Sequence, residues 1–164
     1  MKYVAYFRPD KELTEAILIQ NHVRISAIGL HSTIYLFQMN PNQEEVLIKD
    51  LLGIKFSPFE LKTLEFVDFD KNSLALKLSC PKELSKLHKE IAAVARKYAQ
   101  TTSTNAEETY FRENYRPHIT ISESSSQFDR NSQVLIGRNF IVQECFLAGK
   151  YAGNWEHVQR FGAG

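Results

Sequence analysis

The 164 residues are 43% hydrophobic and 24% charged, the size and proportions of one compact globular domain. Twenty lysines and arginines against nineteen aspartates and glutamates leave a net charge of +1, too weak a field to gather long duplex DNA or an anionic membrane, so a phosphate must be captured locally. No apolar run reaches the ~18 residues of a membrane span, the apolar start breaks at Arg8-Pro9-Asp10 where a signal peptide would continue, and Cys80 and Cys145 lack disulfide or zinc spacing, which fits a reducing, cytoplasmic compartment.

Lys2 to Phe7 is short, aromatic and β-prone and is stopped by Pro9-Asp10, which predicts a first strand. Leu13, Ala16, Ile17 and Gln20 then recur at helical spacing, with Asp10 positioned to cap the helix and Glu12 in its first turn. After a loop from His22 to Gly29, the β-branched and aromatic run His31 to Met39 predicts a second strand that ends at Asn40-Pro41. Asn40, Pro41 and Gln43 form a capping-box-like start for a helix from Glu44 to Leu52, closed by Gly53. Phe59 to Phe66 and Leu74 to Leu78 alternate as strands about a turn at Asp70 to Asn72, which makes a hairpin. Pro81 to Gln100 carries the longest helical stripe, with Leu84, Leu87, His88, Ile91, Ala92 and Ala95 on one face and lysines and glutamates on a solvated one. Thr101 to Thr109 reads as a polar loop, His118 to Ser122 as a strand behind Pro117, and Gln127 to Ile136 as a weak helix. Strands from Phe140 to Ala148 and from Asn154 to Phe161 finish the chain.

A faint internal repeat organises these elements. A strand opening with His31-Ser32-Thr33, a helix and the Phe59 to Phe66 strand are answered by His118-Ile119-Thr120, a weak helix and the Phe140 to Leu147 strand. Two diverged copies imply two similar lobes side by side, and the cleft between lobes is where a site belongs. In a strand, residues i and i+2 project to one face about 6.5 to 7 Å apart, so each His-x-Thr supplies half a site. Two imidazoles and two hydroxyls across a cleft supply what phosphodiester transfer needs: a base for the nucleophile, an acid for the leaving oxygen and donors for the phosphoryl oxygens. Histidine suits both roles because its ordinary pKa of about 6.5 allows one ring to be neutral and the other protonated.

The stretches Leu30-His31-Ser32-Thr33-Ile34-Tyr35-Leu36-Phe37 and Tyr115-Arg116-Pro117-His118-Ile119-Thr120-Ile121 resemble the paired signatures of the 2H phosphoesterases, in the branch of RNA 2′,3′-cyclic phosphodiesterases historically called 2′-5′ RNA ligases. The order of elements matches along nearly the whole chain. The resemblance implies a bilobal, pseudo-duplicated α+β fold, with two antiparallel sheets lining a central cleft and helices packed outside. It also implies metal-independent cleavage or opening of a phosphodiester next to a ribose hydroxyl, with no cofactor. His31 and His118 would be acid and base in an order the residues do not assign, and Thr33 and Thr120 would hydrogen-bond the phosphate. The substrate would be an RNA terminal 2′,3′-cyclic phosphate, a 2′-5′ linkage or a cyclic nucleotide, and a near-neutral chain favours short nucleotide or RNA substrates over duplex. A monomer with no membrane partner is expected.

Further candidates surround the motifs. Tyr115 could stack on a base and Arg116 reach a phosphate. Tyr35, at i+4 from His31, is expected on the His31 face. Lys150 and Tyr151 follow a strand where this family often turns back toward the cleft. His22, His88 and His157 have no following Thr, and packing explains His88. Two other readings use the same residues: a non-catalytic module that binds a nucleotide or RNA end, and a His-ligated metal enzyme, which finds no His-x-x-x-His or carboxylate partner at suitable spacing.

Overall fold

The computed structural model describes residues 1–20, 23, 25–70, 73–99, 115–122 and 133–162. Lys2–Phe7 forms β1, Lys11–Leu18 α1 and Ser32–Gln38 β2. The Asp10 carboxylate accepts from the Leu13 amide at 2.8 Å and so caps α1, which buries Leu13, Ala16 and Ile17. Asn40 caps too, accepting from the Asn42 amide at 3.0 Å, but over a single 3-10 turn, Pro41–Gln43, that precedes α2 (Glu44–Leu52). β3 (Phe59–Asp70) and β4 (Ser73–Leu78) form the expected hairpin, and α3 is Lys82–Arg96. β5 is His118–Ser122, β6 Asn139–Val142, β7 Glu144–Tyr151 and β8 Asn154–Gly162. Of the expected weak helix, Gln133–Leu135 is a 3-10 turn. Residues 127–132 of that helix, the Thr101 to Thr109 loop, Lys71-Asn72 and His22 lie outside the described residues, and Ile136 is in a turn.

Two four-stranded sheets result, in the orders β2-β1-β7-β8 and β5-β4-β3-β6, with every pairing antiparallel. The repeat is visible in them. β1-α1-β2 and β4-α3-β5 are equivalent strand-helix-strand units, each ending on a His-x-Thr strand at a sheet edge. The next long strand of each half then crosses over: β3 pairs with β4, whereas β7 pairs with β1. This crossing explains why the expected strand from Phe140 to Ala148 is two strands divided at Gln143. Its first part completes the second sheet beside β3, and its second part must leave to pair with β1.

The main core of the described residues runs through both sheets and all three helices. Tyr3, Ala5 and Phe7 of β1 meet Leu74 and Leu76 of β4 and Ile119 and Ile121 of β5 there. Each such aliphatic or aromatic burial stabilises by roughly 1.5–3 kcal/mol. Because strand side chains alternate, Val4 and Tyr6 point the other way, where they join Phe146 and Ala148 in a smaller cluster with Leu36 and Trp155. No described helix is long and apolar enough to cross a membrane.

Candidate active site

β2 and β5 are the edge strands that carry the two motifs. His31 stands just before β2, preceded by a turn that only glycine adopts readily. Gly29 has φ +83°, and its amide donates to the Ser26 carbonyl at 2.9 Å. This turn aims the Gly29 carbonyl at Nδ1 of His31, 2.9 Å away, and the Ser26 hydroxyl donates to the same oxygen at 2.8 Å. In the second half the Arg116 carbonyl, also two residues upstream, lies 2.8 Å from Nδ1 of His118. A carbonyl can only accept, so Nδ1 carries the proton in both rings and each Nε2 remains to take or give one.

His31 and Thr120, from different sheets, line one cavity of about 310 Å³ together with Ser26, Gly29, Leu30 and Ser122. Thr33 and His118 are the i+2 and i−2 neighbours of that pair along their strands, both half-buried, while Thr120 is exposed. Burial pushes the His31 pKa below the ordinary histidine value, the Gly29 carbonyl opposes that shift, and the Arg8 guanidinium reinforces it. His31 is therefore neutral near pH 7.

Tyr35 is not on this face. Tyr6 pairs with Thr33 and Ala5 with Tyr35, which leaves Ile34 as an extra residue. The resulting β-bulge turns the strand over between Thr33 and Tyr35, so a count of i+4 from His31 fails. Tyr35 is 5% exposed, in the main core, with its ring edge-on to His88 at 6.0 Å. Tyr115 is also directed inward. It stacks flat on His88 at 4.3 Å, and its hydroxyl is buried near Ser32 without a well-formed hydrogen bond. Burial drives that phenol well above its usual pKa, and one face of the ring is already taken by His88. The Arg116 side chain is exposed, and its backbone carbonyl is the group that anchors His118.

Lys150 and Tyr151 lie at the wrong end of the first sheet. Phe146 pairs with Tyr6, and β7 runs on from there, so Lys150 and Tyr151 are four and five residues further along, roughly 13 and 17 Å. Lys150 is exposed, on the face of Phe146 and Ala148. Tyr151 donates to the Glu44 carboxylate, which also accepts from Tyr3 at 2.8 Å.

Sequence reasoning misses three side chains beside His31. The Tyr6 ring meets the His31 ring edge-on at 5.3 Å and stacks on His157 at 5.8 Å. The Arg8 guanidinium donates to Nε2 of His157 at 2.8 Å and to the Ile28 carbonyl at 3.1 Å, and lies over the Phe146 ring at 4.9 Å. The alternation of Val4, Tyr6 and Arg8 could have put the last two on one face, but nothing local links them to His157. Among the described residues no three His, Cys, Asp or Glu side chains are grouped as metal ligands.

Residues 9–134, a span holding both motif strands, match the family model described as the 2′-5′ RNA ligase superfamily. The chain belongs to this superfamily. Its fold is similar to that of Escherichia coli LigT without ligand, over 99% of this chain and 96% of that one, with a TM-score of 0.68 at 16% identity. A protein described as a phosphoesterase matches over 99% and 97%, with a TM-score of 0.70 at 16% identity. Usb1 of Kluyveromyces marxianus matches over 95% and 96%, with a TM-score of 0.56 at 10% identity. At these identities the likeness is one of fold. No curated protein sequence matches the chain significantly. Membership of the superfamily agrees with the 2H resemblance of the two motifs, and the paired antiparallel sheets are the α+β architecture that resemblance implied.

Proposed function

We propose that this superfamily member is a metal-independent phosphodiesterase that opens or cleaves a phosphodiester beside a ribose hydroxyl, with His31, Thr33, His118 and Thr120 as its machinery. The carrying observation is the matched anchoring of both imidazoles by carbonyls two residues upstream, at 2.9 and 2.8 Å, which fixes the proton on Nδ1 and makes Nε2 the titrating atom of each ring. For a 2′,3′-cyclic phosphate, neutral His31 takes a proton at Nε2 from water as the water oxygen bonds to phosphorus. The bond from phosphorus to one ribose oxygen breaks, and His118 gives that oxygen its proton. The two threonine hydroxyls donate to the non-bridging oxygens as charge builds on them. Burial and Arg8, which keep His31 neutral at rest, support its role as base in this direction. That LigT has been solved with 3′-AMP and with ATP supports a nucleotide ligand.

The test is hydrolysis of a panel of 2′,3′-cyclic mononucleotides, 2′-5′ oligoadenylates and cyclic oligonucleotides after chelator treatment, with His31→Ala and His118→Ala alongside. Turnover that disappears in both variants is expected. Nucleotide binding without turnover, dependent on the same residues, would replace this reading by that of a non-catalytic nucleotide or RNA-end binding module.

A further inference from the structure

Arg8 differs from an ordinary surface arginine in how it is held. One terminal nitrogen spends its hydrogens on the Ile28 carbonyl and on Nε2 of His157, and the plane rests over Phe146. Of the five N–H donors of a guanidinium, three remain, and among the described residues no carboxylate pairs with it. Its exposed edge is thus a fixed cation with no carboxylate in ion-pair contact, and fixing the side chain in advance removes most of the entropy that binding an anion would cost. His157 accepts from Arg8 at Nε2 and so is the neutral tautomer. Burial and Arg8 both push its pKa below the ordinary histidine value, in keeping with that role. The buried Tyr6 hydroxyl stands 3.1 Å from the same nitrogen, and its ring joins His157 to His31.

The position of this cluster relative to His31 decides what it could bind. Arg8 does not line the cavity shared by His31 and Thr120. It borders a separate groove of about 680 Å³ that is also lined by Lys11, Phe146 and the carboxylate residues Asp10, Glu60 and Glu144. Gly29, whose carbonyl anchors His31, comes between, with the Arg8 Nε 4.0 Å from where its Cβ would be. A phosphate seated between the two motif strands would leave Arg8 unused, and a second phosphate on the same ligand would meet it.

We propose that Arg8, positioned by His157 and Tyr6, forms a second anion subsite beside His31 that takes a phosphate other than the one undergoing reaction. This rests on the phosphodiesterase reading for the first phosphate and narrows the substrate to one carrying a further phosphate, as an oligonucleotide end does and a cyclic mononucleoside phosphate does not. Arg8 is here a binding residue, and His157 is a positioning residue that acts through it.

Calorimetric binding of adenosine 3′-monophosphate and adenosine 3′,5′-bisphosphate tests this directly. The bisphosphate is expected to bind at least about tenfold more tightly to the unaltered protein, an advantage of the size a charge-assisted hydrogen-bonded pair gives. In Arg8→Ala that advantage should vanish, the bisphosphate losing more affinity than the monophosphate. His157→Leu should lose most of the advantage and His157→Gln, which keeps an acceptor, should restore it. The proposal is overturned if the bisphosphate has no advantage or no measurable affinity, if Arg8→Ala retains the advantage, or if Arg8→Ala weakens both ligands equally. Hydrolysis of adenosine 2′,3′-cyclic phosphate with and without a 5′-phosphate separates the two readings. Turnover dependent on His31 but indifferent to the 5′-phosphate sinks the subsite alone, and an Arg8-dependent binding advantage without any turnover sinks the phosphodiesterase alone.

Discussion

The Gly29 carbonyl oxygen lies 2.9 Å from Nδ1 of His31 and accepts its hydrogen bond, and it can do so because Gly29 has φ +83°. Arg116 does the same for His118 at 2.8 Å without a glycine, since an exposed residue ahead of Pro117 meets no such backbone demand.

Gly29→Ala tests the dependence of His31 on this turn. There is room for the methyl group, the nearest atom being Arg8 Nε at 4.0 Å, so the penalty is conformational, about 1 kcal/mol for a left-handed L-residue. Denaturant unfolding should show that loss, and the rate constant kcat should fall more than stability alone explains. Unchanged kcat would mean that His31 keeps its orientation without the carbonyl.

His31→Ala and His118→Ala are each expected to lower the rate by at least about 10²-fold with the fold retained. The double variant should be little worse than either single one, because the two rings serve one proton-transfer sequence. Thr33→Val and Thr120→Val should each lower it by less, and a faster enzyme from either threonine change would contradict phosphate donation.

The pH dependence follows from two depressed histidines. His31 and His157 both have pKa values below the ordinary 6.5 in the folded state, chiefly through burial. The unfolded chain therefore binds more protons in the window below 6.5, and stability should fall as pH drops through that window, then level once the folded-state pKa values are passed. Urea unfolding at a series of pH values should show this slope, and His31→Gln should reduce it. In catalysis the acid limb of the bell-shaped rate profile should lie below pH 6.5, where the base is finally protonated.

Tyr151→Phe should leave turnover within about twofold of the unaltered protein. The residue sits roughly 17 Å along its strand from Phe146, and its hydroxyl serves the Glu44 carboxylate. Burial and that carboxylate push its phenol up to about 12. Loss of the hydrogen bond should appear as about 1 kcal/mol of lost stability. A rise in KM would bring Tyr151 back to the substrate.

Several features were legible because they are local. Asp10 caps α1, β3 and β4 pair antiparallel as a hairpin should, and β1 and β5 keep the bounds that alternation and flanking prolines suggested. The two His-x-Thr strands could be read as one constellation because side-chain type and a spacing of two are properties of a short segment. Other features depend on which strand lies alongside. Tyr35 was misdirected because a bulge is set by pairing with β1, one partner strand being a residue shorter there, and composition near Ile34 carries no sign of it. The division at Gln143 likewise comes from β6 and β7 having partners in different sheets.

By itself the amino-acid sequence determined the order of strands and helices, the duplicated motif and the residue types able to move protons and hold phosphate. Only the tertiary structure decided what surrounds them. Arg8 and His157 are 149 positions apart and meet solely because β7 separates β1 from β8 in one sheet. The groups that fix the tautomers of His31 and His118 are backbone carbonyls, which every residue possesses and which only a particular chain path can aim.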